Sequence, residues 1–117
     1  MFYPFDFTYV CPTEIISYSE NYEAFKEIGA EVLAVSVDSH FSHLAWRKAE
    51  RSKGGLGEIN FPLVADITKQ ISREYGVLVE NPEDGLHGAT LRGLFVIDGT
   101  GKIRSIMIND EQVGRNV

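Results

Sequence analysis

The run Glu31-Val32-Leu33-Ala34-Val35-Ser36-Val37 constrains the fold of this chain more than any other feature. It is nearly continuously apolar, the pattern of a strand covered on both faces by helices. Its flanks agree. From Thr13 to Ile28, Ile15, Tyr18, Tyr22, Phe25 and Ile28 recur at steps of three and four, which is a helix stripe, and Gly29 supplies a stop. Beyond the run, Asp38 or Ser39 caps a second helix reaching about Arg51, with Phe41, Leu44 and Ala45 facing inward. Phe61-Pro62-Leu63-Val64 reads as a short strand whose Pro suits a start or an edge. Ile67 to Tyr75 is a third helix, stopped by Gly76. Leu91 to Ile97 and Lys102 to Ile108 are strands joined through Asp98-Gly99-Thr100-Gly101, a hairpin signal. Phe2-Tyr3 reads as the tail of a strand. The order β-α-β-α-β-α-β-β predicts one α/β domain over residues 1–117, with parallel strands and a closing antiparallel hairpin.

Composition narrows the function. A formal net charge of −6 argues against sequence-independent binding to nucleic acid or anionic lipid, which needs a basic face. No apolar run reaches the length of a membrane span, and no segment reads as a signal peptide. The single cysteine provides no disulfide framework, which points to a reducing, cytoplasmic compartment.

That cysteine, Cys11, lies in Pro4-Phe5-Asp6-Phe7-Thr8-Tyr9-Val10-Cys11-Pro12-Thr13-Glu14. It falls at a strand-to-helix junction, where chemistry gathers in α/β sheets. The first helical turn offers unsatisfied N–H groups and the positive end of the dipole, and both favour a reactive thiolate. A lone cysteine is more often a small core hydrophobe, but its neighbours favour reactivity. Thr8 turns back over the same junction, where its hydroxyl serves either the thiol or a local turn. Pro4 shields a thiol pocket or is a plain turn residue, and Pro12 fits the first helical turn. Glu14 is either a carboxylate favoured by the dipole or an acceptor that orients an arginine. Arg92 sits in an otherwise apolar strand, so its charge requires a partner or a route to solvent. Arg115 has only a weak local signal and reads as surface.

Two further motifs carry less. His40 and His43, three apart on the second helix, form a metal set with Cys11 only in outline, because no cysteine spacing of the metal-binding type exists. Solvated histidines are the simpler reading. Gly54-Gly55-Leu56-Gly57 lacks the preceding strand and the closing Lys-Ser/Thr of a phosphate loop.

The segment from Pro4 to Glu14 resembles the active-site signature of the typical two-cysteine peroxiredoxins, Pro-x-x-x-Thr-x-x-Cys continued as Cys-Pro-Thr-Glu. The likeness runs on through Val35 to Ser39, His43 to Trp46, Gly54 to Gly57, Phe61 to Asp66, Arg92 to Asp98 and Val113 to Arg115. It implies a thioredoxin-like fold, a central mixed sheet flanked by helices with its first strand truncated. It implies reduction of hydrogen peroxide and organic hydroperoxides through the Cys11 thiolate and a sulfenic acid, without metal or organic cofactor. Thr8 would contact thiolate and peroxide, Arg92 would hold the thiolate, and Pro4 would screen the pocket. Glu14 would orient an arginine, and Arg115 matches a second arginine of the family's site. Thioredoxin or a similar thiol would be the reductant. A homodimer would pair through the edge strand Arg104 to Asn109, and a decamer ring would use contacts near Phe7 and Tyr9. The resemblance also implies that this chain starts within the family's first central strand and stops before its resolving cysteine.

Two kinds of function follow as expectations. One is a peroxidase carried by Cys11, Thr8 and Arg92. The other is a catalytically incomplete, chaperone-like or self-associating module.

Overall fold

The computed structural model describes residues 1–8 and 11–116. The chain forms helices α1 (Cys11–Glu20), α2 (Tyr22–Glu27), α3 (His40–Lys48) and α4 (Gln70–Glu74). Its strands are β1 (Ala34–Ser36), β2 (Leu63–Ala65), β3 (Arg92–Ile97) and β4 (Ile103–Asn109). β1 and β2 pair in parallel, and β3 and β4 pair antiparallel. Residues 1–3 join the two pairs. The Tyr3 amide donates to the Val35 carbonyl at 3.0 Å, the Val35 amide to the Met1 carbonyl at 2.8 Å, and the Phe2 amide to the Gly93 carbonyl at 2.7 Å. Phe2 and Tyr3 are thus the central element of a mixed sheet, as their reading as a strand tail predicts.

The predicted first helix is two helices, broken at Asn21. The Asn21 side chain donates to the Ser17 carbonyl at 2.8 Å, a local bond that competes with helix continuation. Ser39 caps α3 by accepting from the Ser42 amide at 3.1 Å. The inward face of α3 differs from expectation. His43 and Trp46 are buried, whereas Phe41, Leu44 and Ala45 are exposed. The apolar count misleads here because a buried polar partner, Asp6, waits for the histidine.

The main core gathers Tyr3, Ile15, Tyr18, Trp46, Leu56 and Phe61. Burying each large apolar side chain contributes roughly 1.5–3 kcal/mol. The glycine-rich loop abuts this core. The Trp46 indole N–H donates to the Gly54 carbonyl at 3.1 Å. A Cβ at Gly55 would overlap the Ala49 carbonyl, so only glycine fits there. The loop is a packing device, with Arg51 donating to the carbonyls of Leu56 and Glu58 at 3.0 and 3.1 Å.

Candidate active site

Cys11 is the first residue of α1 and is fully buried, with Ile15 and Tyr3 in the same cluster. The Arg92 guanidinium reaches it from β3, and Nη1 donates to the Cys11 Sγ at 3.1 Å. The same nitrogen donates to Glu14 Oε1 at 2.7 Å, and Nε donates to the Glu111 carbonyl at 2.6 Å. Arg92 is 2% exposed, so it is no outward-pointing strand end; its charge has the partners that an apolar strand demands.

Glu14, one turn into α1, orients two arginines. Its Oε2 accepts from the Arg115 amide at 2.7 Å and from Arg115 Nε at 2.8 Å, and its Oε1 accepts from Nη2 at 3.0 Å. Arg115 Nη1 also donates to the Gly93 carbonyl at 2.8 Å. The surface reading of Arg115 is therefore corrected: its side chain is completely buried. Local sequence gives no hint of this, because its partners lie far away along the chain. Two guanidinium groups and one carboxylate leave one positive charge beside the sulfur, which an anion at Cys11 would balance.

Pro4 is buried, and Thr8 is partly exposed. The Thr8 hydroxyl donates to the Phe5 carbonyl at 3.2 Å, the local turn bond of its plainer reading, and not to the sulfur. Tyr9, named for ring contacts, lies outside the described residues. A surface depression of about 400 Å³ is lined by Thr13, Glu14, Ser17, Gly114, Arg115 and Asn116. It borders the ion cluster, but Cys11 is not among its lining residues.

A second polar cluster, to whose partners local sequence gives no pointer, surrounds Asp6. Asp6 is buried between Phe5 and Phe7. Its Oδ1 accepts from the Tyr3 hydroxyl at 2.7 Å. Its Oδ2 accepts from the Ser42 hydroxyl at 2.9 Å and faces His43 Nδ1 at 2.7 Å. His43 Nε2 faces the Val64 carbonyl at 3.2 Å. Both ring nitrogens face oxygen acceptors, which suits a doubly protonated imidazolium. Burial alone would lower the His43 pKa, but the Asp6 hydrogen bond and charge, the Val64 carbonyl and Asp38 together hold it above the usual value. Burial, reinforced by the charge of Asp6, raises the Tyr3 pKa and keeps the phenol a donor. Burial likewise raises the Asp38 pKa. Asp6 carries the same signal that exposed Arg92, a charge inside an apolar segment.

The metal set of Cys11, His40 and His43 does not assemble. His40 is exposed, His43 is committed to Asp6, and Cys11 is held by Arg92. Asp6, Asp38 and His43 are close enough for a cation, yet their atoms are already engaged with one another and with Ser36, Ser42 and Tyr3.

The chain is similar to known proteins over nearly its whole length. The profile of the AhpC/TSA family matches residues 1–106. The mitochondrial thioredoxin-dependent peroxide reductase of Bos taurus is 57% identical over 116 residues, 99% of this chain and 43% of its own length. Peroxiredoxin-2 of Rattus norvegicus is 56% identical over 116 residues, 99% of this chain and 56% of its own. The chain thus spans about half the length of the curated relatives it matches. Among solved structures, reduced Plasmodium vivax 2-Cys peroxiredoxin superposes with a TM-score of 0.91 at 43% identity, over 99% of this chain and 57% of its own. That superposition bears out the expected thioredoxin-like fold. A family match from the first residue to residue 106, over a backbone shared with a two-cysteine peroxiredoxin, makes this chain a member of the AhpC/TSA family.

Proposed function

We propose that this chain carries the peroxide-reducing centre of a thiol-dependent peroxidase, with Cys11 as the nucleophile. The observation that supports this most is the Arg92 Nη1 contact of 3.1 Å to the Cys11 sulfur, backed by the clamped Glu14. The thiolate attacks one peroxide oxygen, an S–O bond forms and the O–O bond breaks. The leaving oxygen takes a proton and departs as water or an alcohol. Cys11 is thereby oxidised by two electrons to a sulfenic acid, and the peroxide is reduced by two. The Arg92 N–H groups stabilise the charge that builds on the oxygens. Thr8, released from the Phe5 carbonyl, would contact the peroxide, and Pro4 would keep water from the sulfur. A thiol reductant then displaces hydroxide from the sulfenic sulfur, giving a mixed disulfide and water. A second thiol restores Cys11.

Thioredoxin or a similar thiol donor fits the names of the relatives, and a reducing compartment suits that chemistry. Relatives named as mitochondrial extend the cytoplasmic expectation to that organelle. Self-association has support of its own. β4 is exposed along nearly its whole length and displays Ile103, Ile106, Met107 and Ile108, an edge suited to a second copy of the chain. A dimer through β4 is the first assembly step we propose, with a decamer ring built from such dimers. A chaperone-like role would draw on the same apolar edge.

The test is Cys11→Ser. Rapid peroxide consumption and trapping of the sulfenic acid should both vanish. Consumption at the parent rate would sink the assignment.

A further inference from the structure

The segment leading into Cys11 holds an unfavourable backbone. Phe7 has φ 61°, in the left-handed region, although it is not glycine. Such a residue costs roughly 1–3 kcal/mol and persists only where its surroundings over-determine it. Packing of Phe7 itself is a poor candidate for the restraint. The residue is 55% exposed, and its aromatic neighbour is Trp46 at 6.0 Å between ring centroids.

The restraint lies one residue earlier. Asp6 is tied through its carboxylate to Tyr3, Ser42 and His43, and through its backbone to Asp38. The Asp6 amide donates to Asp38 Oδ2 at 2.9 Å. Asp38 is in turn referenced to the sheet. Ser36, the buried last residue of β1, donates its hydroxyl to Asp38 Oδ2 at 2.6 Å and accepts from the Asp38 amide at 3.3 Å. A continuous path therefore runs from the end of β1 through Asp38 and the Asp6 amide to the strained Phe7. Thr8 follows directly. Asp38 is on a different element from Cys11 and has no contact with its sulfur among the bonds described.

We propose that Asp38 is a positioning residue for the reaction of Cys11, fixing the loop of residues 4–8 against the end of β1. This rests on the peroxidase reading for its catalytic consequence, but not for its geometry. Asp38 acts through one backbone hydrogen bond, whereas Asp6 has many partners, so Asp38 is the cleaner position to probe.

The experiment uses the full chain and two reagents. In Asp38→Ala the second-order rate with hydrogen peroxide should fall about tenfold to a hundredfold, the scale of small misplacements near a reacting group. Alkylation of Cys11 by iodoacetamide should become faster, because a loosened loop opens a buried sulfur. Asp38→Asn keeps an oxygen acceptor for the Asp6 amide and should restore most of both values. Adding Phe7→Asn to Asp38→Ala should recover part of the lost peroxide rate, since asparagine enters the left-handed region more readily. Should Asp38→Ala fail to fold, Ser36→Ala, which unhooks Asp38 from β1, is read in the same way. Parent rates with both reagents in a folded Asp38→Ala or Ser36→Ala would overturn the proposal. So would an Asp38→Asn as slow with peroxide as Asp38→Ala, or no recovery on adding Phe7→Asn. A parent chain inert to peroxide would remove the peroxidase reading, and alkylation would then decide the loop assignment alone.

Discussion

Two buried polar clusters, one at Cys11 and one at Asp6, are built on opposite principles. Beneath the sulfur, Glu14 holds Arg92 and Arg115, and the group keeps a surplus positive charge. Beneath the loop, Asp6 is answered by His43, Tyr3 and Ser42, and the hydrogen bonds of the cluster close on themselves. The first is left one anion short, and the second is saturated. A site that acts on a substrate needs unspent electrostatics, whereas a site that holds a shape needs none left over.

Glu14→Gln should break the contrast most severely. It leaves two buried guanidinium groups without their shared carboxylate, a loss of about 3–5 kcal/mol. Denaturant unfolding measures it, and a loss below that of an ordinary surface substitution would mean that the cluster is not held by Glu14. Asp6→Asn should cost less, about 1.5–3 kcal/mol, the worth of a charge-assisted bond. It also tests the charge state. Because the folded-state pKa of His43 lies above its ordinary 6.5, the pair stabilises fully below about pH 6.5. That contribution is lost as pH rises through the folded value. Unfolding midpoints of the parent should therefore fall over this range relative to Asp6→Asn; parallel pH curves would deny the ion pair. Ser42→Ala removes one neutral donor from Asp6 and should cost only about 0.5–1.5 kcal/mol. A larger loss would show that the saturated cluster cannot spare even a peripheral member.

The sequence disclosed the sulfur cluster better than the loop cluster. Cys11, Glu14 and Arg92 each stood out locally, the last as a charge in an apolar strand. Arg115 did not, because its burial depends on the chain after β4 returning to α1. Asp6 and His43 are 37 residues apart, and nothing near either one names the other. Counting apolar residues therefore turned α3 outward at His43. Apart from the break of the first helix at Asn21, element order was legible, since apolar period and turn residues are local. Element length was not, because strand limits depend on neighbours: β1 pairs with β2 over only Ala34 to Ser36.

The bond from Arg92 to Cys11 spans 81 residues, and those from Arg115 to Glu14 span 101. During synthesis the N-terminal part emerges first, at about 5–20 residues per second. For several seconds Cys11 is an ordinary thiol on a growing chain, without either guanidinium. Under the proposed peroxidase reading, the reactivity of Cys11 toward oxidants waits for completion of the fold, and the nascent polypeptide would be spared oxidation until both guanidinium groups are in place.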